Sequence, residues 1–86
     1  MEIGLLWFDN DPRKGLEEKI RQAAGRYAEK FGQPANLCFL NPATLVAGAP
    51  ATDGSWEVVF EGRAIKVRTA PQVLPHHFWI GVASNP

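Results

Sequence analysis

Leu5-Leu6-Trp7-Phe8-Asp9-Asn10-Asp11-Pro12 is an apolar run that stops at two carboxylates and gives way to an amphipathic segment beginning at Arg13. Residues 3–8 are apolar at nearly every position, the pattern of a strand covered on both faces, which predicts a central strand. Asp11-Pro12 predicts a helix start, because an Asp side chain accepts from an orphan backbone N–H and proline suits the first helical position. This strand, acidic corner and helix start decide the fold class, and they mark where a site would sit, since open sheets place ligands beyond the carboxyl ends of strands.

Moving outward, the helix is expected to run to about Phe31. Leu16, Ile20, Ala23, Ala24, Tyr27 and Phe31 fall on one stripe, with Arg13, Lys14, Glu18, Arg21, Gln22 and Glu29 mainly opposite. Glu17 and Arg21 are spaced as an i,i+4 pair. Gly32 is suited to a left-handed termination, and Pro34 forbids continuation. Asn36 to Leu40 reads as a second apolar strand, completing a β-α-β unit. Asn41-Pro42 repeats the cap-and-proline pattern and predicts one helical turn through Leu45. Residues 46–54 are small and turn-rich, hence a loop.

Trp56 to Phe60 and Arg63 to Thr69 predict a hairpin turning at Glu61-Gly62. A two-residue loop fixes the register: Phe60 opposite Arg63, Val58 opposite Ile65 and Trp56 opposite Val67, with Glu57 opposite Lys66 and Ser55 opposite Arg68 on the other face. A slip of one residue would turn Glu57 into the core. Ala70 to Pro75 is a connector with two prolines, His76-His77 follows, and Phe78 to Val82 reads as a final strand. The expected fold is α+β, a single domain over 1–86: β-α-β, a β-hairpin and a final strand, with one main helix on a mixed sheet of about five strands. One helix covers one sheet face, yet three Trp and five Phe need places. A homodimer through the second face is the simplest expectation; a sheet curled on itself is the alternative.

Composition narrows the function classes. The 86 residues suit one domain of a size at which stability is marginal and a partner subunit is often recruited. Nine basic and nine acidic residues balance, so nucleic acid is unsupported by net charge, although a local patch remains open. No apolar run approaches the roughly 20 residues that span a bilayer, so no membrane association is expected. The Met-Glu start and the single Cys38 point to a cytoplasmic location.

Five residues are candidate binding groups. Asp9 and Asp11 at a strand end can hold a hard divalent cation that presents a phosphate or activates water; alternatively Asp11 caps the helix and Asp9 makes a turn with its own backbone. His76 and His77 can add a nitrogen ligand or a general base, but neighbours on a strand point to opposite faces, so one at most is expected to share a site with a given group. Otherwise they are exposed or bonded to backbone. Trp79 is singled out because Phe78, Ile80 and Val82 share one face and Trp79 takes the other, where an exposed Trp would be a partner-binding signal. The wider aromatic set, Trp7, Phe8, Trp56, Phe60, Phe78 and Trp79, suits core packing or a stacking or peptide groove, with Arg63, Lys66 and Arg68 as a basic edge. Cys38, inside an apolar strand, reads as a small buried hydrophobe rather than a nucleophile. One Cys and two adjacent His lack the paired spacing of structural zinc, and no cofactor is called for.

Leu5-Leu6-Trp7-Phe8-Asp9-Asn10-Asp11, Lys30-Phe31-Gly32-Gln33-Pro34 and Val73-Leu74-Pro75-His76-His77-Phe78-Trp79-Ile80-Gly81-Val82 together resemble small uncharacterised bacterial proteins without an assigned activity. That resemblance spans most of the chain and implies no function. A looser similarity is to small CRISPR-associated nuclease-like adaptor proteins, in which a first strand also ends near an aspartate, matched here by Asp9. The chain departs from them where a loop and hairpin replace their second long helix. The favoured expectation is a non-enzymatic interaction module acting as a homodimer and holding a protein partner through a sheet face or edge strand. The runner-up is a metal-dependent phosphodiester or phosphate hydrolase using Asp9, Asp11 and a histidine.

Overall fold

The computed structural model describes residues 4–44 and 55–83. The elements are β1 (Gly4–Phe8), α1 (Leu16–Phe31), β2 (Leu37–Leu40), a single 3-10 turn (Pro42–Thr44), β3 (Ser55–Phe60), β4 (Arg63–Thr69) and β5 (His77–Gly81). The five strands form one sheet in the order β1-β5-β2-β4-β3. β2 and β4 are parallel, and the other neighbouring pairs are antiparallel. This is the expected α+β architecture, one helix on a mixed five-stranded sheet. The expected loop at 46–54, the end of the expected turn at Leu45 and the first residue of the expected first strand lie outside the described residues.

The expectation of a central first strand is corrected. β1 and β2 run parallel as a β-α-β unit requires, but β5 lies between them and leaves β1 at the sheet edge. Apolar side chains on both faces do not by themselves make a strand central, and β5 is equally apolar. Nor does the sheet curl closed: β1 and β3 are its two edges.

α1 lies on one face and packs across β5, β3 and β1. Ile20, Ala23, Ala24 and Tyr27 are buried, Leu16 and Phe31 partly so, as the stripe requires. They meet Cys38 and Leu40 of β2, Val58 of β3, Ile65 and Val67 of β4 and Phe78 and Ile80 of β5, so alternate residues of every inner strand feed one core. The helix exit is as expected: Gly32 is left-handed, φ 72°, and its N–H donates to Ala28 O at 2.9 Å. The entry is not. The helix starts at Leu16 with Gly15 as N-cap and no side-chain cap, because the Asp11 carboxylate is engaged within a preceding turn. β2 starts at Leu37 rather than Asn36, and β5 is displaced one residue toward the N-terminus, His77–Gly81.

The hairpin adopts the expected register at every pair, from Ser55 opposite Arg68 to Phe60 opposite Arg63. Glu61 and Gly62 both have positive φ, 51° and 77°, the geometry whose twist matches that of the flanking strands.

Candidate functional site

The acidic corner is built from β1 and the turn into α1. Asp9 is buried; its Oδ1 accepts from the Asp11 N–H at 3.0 Å, and Lys14 Nζ stands 2.6 Å from its Oδ2. Lys14 Nζ also donates to Gln22 Oε1 at 2.5 Å. Burial by itself raises the Asp9 carboxyl, but the Lys14 ammonium and the Asp11 amide outweigh it and hold the group below the ordinary aspartate value. Asp11 accepts from Arg13 Nε and Nη2, both at 3.1 Å, and from the Arg13 N–H at 2.9 Å. Its pKa is lowered by the Arg13 guanidinium first and the Arg13 amide second. Each carboxylate therefore has its own cation. Among the described residues, no group of three or more His, Cys, Asp or Glu is placed to hold a metal ion.

The two histidines separate. His76 has φ 65° and an exposed side chain; its C=O accepts from the Asp9 N–H at 3.0 Å and its N–H donates to Thr44 Oγ1 at 3.1 Å. It thus meets the acidic corner through its backbone. His77 begins β5 on the opposite sheet face from α1, its ring 4.9 Å from that of Phe8. Its Nδ1 lies 2.9 Å from Pro75 O, and since a carbonyl only accepts, Nδ1 carries the proton there and Nε2 is left as the acceptor of the neutral ring. Cys38 is fully buried, and burial pushes its thiol up to about 12, which leaves no thiolate for catalysis near neutral pH.

The sheet face away from α1 is a different kind of place. Strand alternation puts Gly4, Leu6 and Phe8 of β1, His77 and Trp79 of β5 and Phe39 of β2 on it, in cross-strand register: Leu6 opposite Trp79, and Trp79 opposite Phe39. Next to Phe39 stands Arg68, then Lys66 opposite Glu57, so the face grades from apolar to charged. Leu6 is 52 % exposed, Phe8 53 % and Leu74 64 %, large fractions for such side chains. The connector between β4 and β5 rises beside this face and closes a groove of about 490 Å³ lined by Leu6, Phe39, Val73, Leu74, His77 and Trp79. Asn41 holds that wall, its Nδ2 donating to Val73 O at 2.7 Å and Pro71 O at 3.3 Å.

Of the residues singled out from sequence, Trp79 and His77 meet in the groove, while Asp9 and Asp11 share the corner. Trp7, Trp56, Phe60 and Phe78 pack toward the helix. Phe39, Val73 and Leu74 were not anticipated as groove residues. The one local signal was Asn41, whose side chain reaches thirty-two residues along the chain, a reach that no spacing rule reports. Compared with protein-family models, with curated proteins and with solved structures, the chain matches none. Among the described residues no helix is long and apolar enough to cross a membrane.

Proposed function

We propose that this chain is a non-catalytic protein-interaction module that works as a homodimer and offers its helix-free sheet face to a protein partner. The observation that carries the reading is that face itself. A groove floored by Trp79, Phe39 and Leu6 lies open beside exposed Phe8 and Leu74, and a contiguous apolar surface of this kind is characteristic of interaction sites. Its size and apolar lining suit an anchoring side chain of a partner, with Gln72 and His77 as its polar groups. A small domain also gains stability by sharing apolar surface with a second copy.

The metal-dependent hydrolase reading is the weaker one, because a cation would have to displace Lys14 from Asp9 and Arg13 from Asp11. Sedimentation over a hundredfold concentration range tests the proposal and is expected to show reversible dimerisation; a strict monomer overturns the homodimer. Millimolar Mg²⁺ or Mn²⁺ is expected to leave the melting temperature of wild type and of the Asp9→Ala, Asp11→Ala double variant equally unmoved. A rise confined to wild type would instead establish cation binding at the corner.

A further inference from the structure

We infer that two copies join through the free edge of β1, pairing antiparallel about a two-fold axis at Leu6 so that the two sheets become one. This rests on the homodimer reading above and gives it a geometry.

The backbone ladder shows which groups are free. The Asp9 N–H bonds to His76 O, and β1 pairs with β5 as Leu5 opposite Ile80 and Trp7 opposite Phe78. Hydrogen-bonding direction alternates along an antiparallel strand, so Leu5, Trp7 and Asp9 use β5, while Gly4, Leu6 and Phe8 turn their N–H and C=O groups to the outer edge. Among the described residues nothing bonds to them there. Sheet edges in monomers are ordinarily blunted by charge, proline or a covering group. The other edge follows that rule: β3 carries Glu57, and Arg21 Nε donates to Val59 O at 3.0 Å. β1, Gly-Leu-Leu-Trp-Phe, has no such device among the described residues.

A further observation lies along the same edge. Beside Trp7 and Leu5, α1 presents Arg26, Glu29 and Lys30 over a shallow groove. A two-fold axis sets this flank against its own copy, and its charge is mixed rather than of one sign, Glu29 lying 3.8 Å from Arg26 of the same chain.

A pair centred on Leu6 uses the whole strand. Leu6 lies opposite its own copy, and Gly4 lies opposite Phe8 at both ends. The axis stands perpendicular to the sheet, so both helix-free faces point the same way and the apolar row Phe39, Trp79, Leu6 continues into its mirror order across the junction. Dimerisation thereby joins two half-grooves into one elongated apolar surface for a partner.

The test uses Leu6→Pro, Leu6→Cys and Leu74→Lys. Because the Leu6 N–H points outward, Leu6→Pro removes an intermolecular donor and no bond to β5, and proline is tolerated on an edge strand. It is expected to weaken dimerisation at least about tenfold by sedimentation, through loss of a symmetric pair of hydrogen bonds. Leu74→Lys alters the groove wall and is expected to dimerise as wild type does. Leu6→Cys gives a readout independent of how Leu6→Pro folds: Cα atoms of a hydrogen-bonded pair stand about 5.5 Å apart, within disulfide reach, so mild oxidation is expected to produce a covalent dimer. A monomeric wild type overturns this inference together with the homodimer. A dimeric wild type with Leu6→Pro unaffected, or Leu6→Cys that does not cross-link, overturns the edge alone and leaves a homodimer through the sheet face standing.

Discussion

Replacing Gly4 by alanine tests the packing on which the helix-free face depends. An added Cβ would sit 2.9 and 3.0 Å from Trp79 Cε2 and Cζ2 and 3.1 Å from Ile80 O. The indole is rigid and the carbonyl belongs to the ladder, so neither yields cheaply. Alanine ordinarily gains about 0.5–1 kcal/mol over glycine within a strand. Overpacking costs about 1–3 kcal/mol, so the balance runs from about no change to a loss of about 2.5 kcal/mol, centred near 1 kcal/mol. At about 4–8 °C per kcal/mol for a domain of this size, the central value lowers the midpoint of thermal unfolding by roughly 4–8 °C. Gly25→Ala is the built-in contrast. Its Cβ would meet only Phe60 Cζ at 3.6 Å, an ordinary contact, so helix propensity predicts a gain of up to about 1 kcal/mol. Urea unfolding at one fixed protein concentration measures both, the concentration being held because dimerisation adds to apparent stability. Adding Trp79→Leu to Gly4→Ala should cost less than the sum of the two single changes by about 1 kcal/mol or more. Gly4→Ala more stable than wild type, or strictly additive with Trp79→Leu, would refute the placement of the Trp79 ring over β1.

Three other expectations follow from the buried and turn residues. Asp9→Asn should cost about 1–3 kcal/mol at pH 7 by leaving Lys14 without its carboxylate. Because the folded state depresses the Asp9 pKa, the stability it contributes is fully present above the ordinary value of 3.8 and is lost as pH falls below it. Urea midpoints of wild type and variant should therefore converge as pH is taken progressively below 3.8, and a gap that never diminishes counts against the ion pair as the cause. Cys38 should react with a thiol reagent at pH 8 only as fast as the chain opens, since burial holds the thiol at about 12; stoichiometric labelling of the folded protein within the dead time would contradict its place in the core. Glu61→Asn should stabilise by about 0.5–1 kcal/mol, because Asn tolerates the positive φ of that turn position better than Glu. A loss on calorimetry would mean that Glu61 has a compensating role in the hairpin.

The sequence by itself determined what short-range physics controls. Glu61-Gly62 set the hairpin register, since a two-residue turn leaves one pairing and a slip would bury Glu57. Apolar spacing from Leu16 to Phe31 chose the buried side of the helix, and Gly32 ended it because that position needs a positive φ. The helix start was less legible, because Asp11 and Pro12 carry the same signals for a cap as for the turn that precedes Gly15. Strand order was not legible at all. β1 and β5 are similarly apolar, and which of them lies inside is settled by competition among contacts across the chain; in this structure Asn41 and Thr44, which follow β2, hold the connector into β5 at Val73 and His76. For the same reason only the tertiary structure decided that Asp9 meets a lysine and a histidine backbone, that His77 and Trp79 share a groove with Phe39, and that the apolar strand read as central is an edge with its hydrogen bonds turned outward.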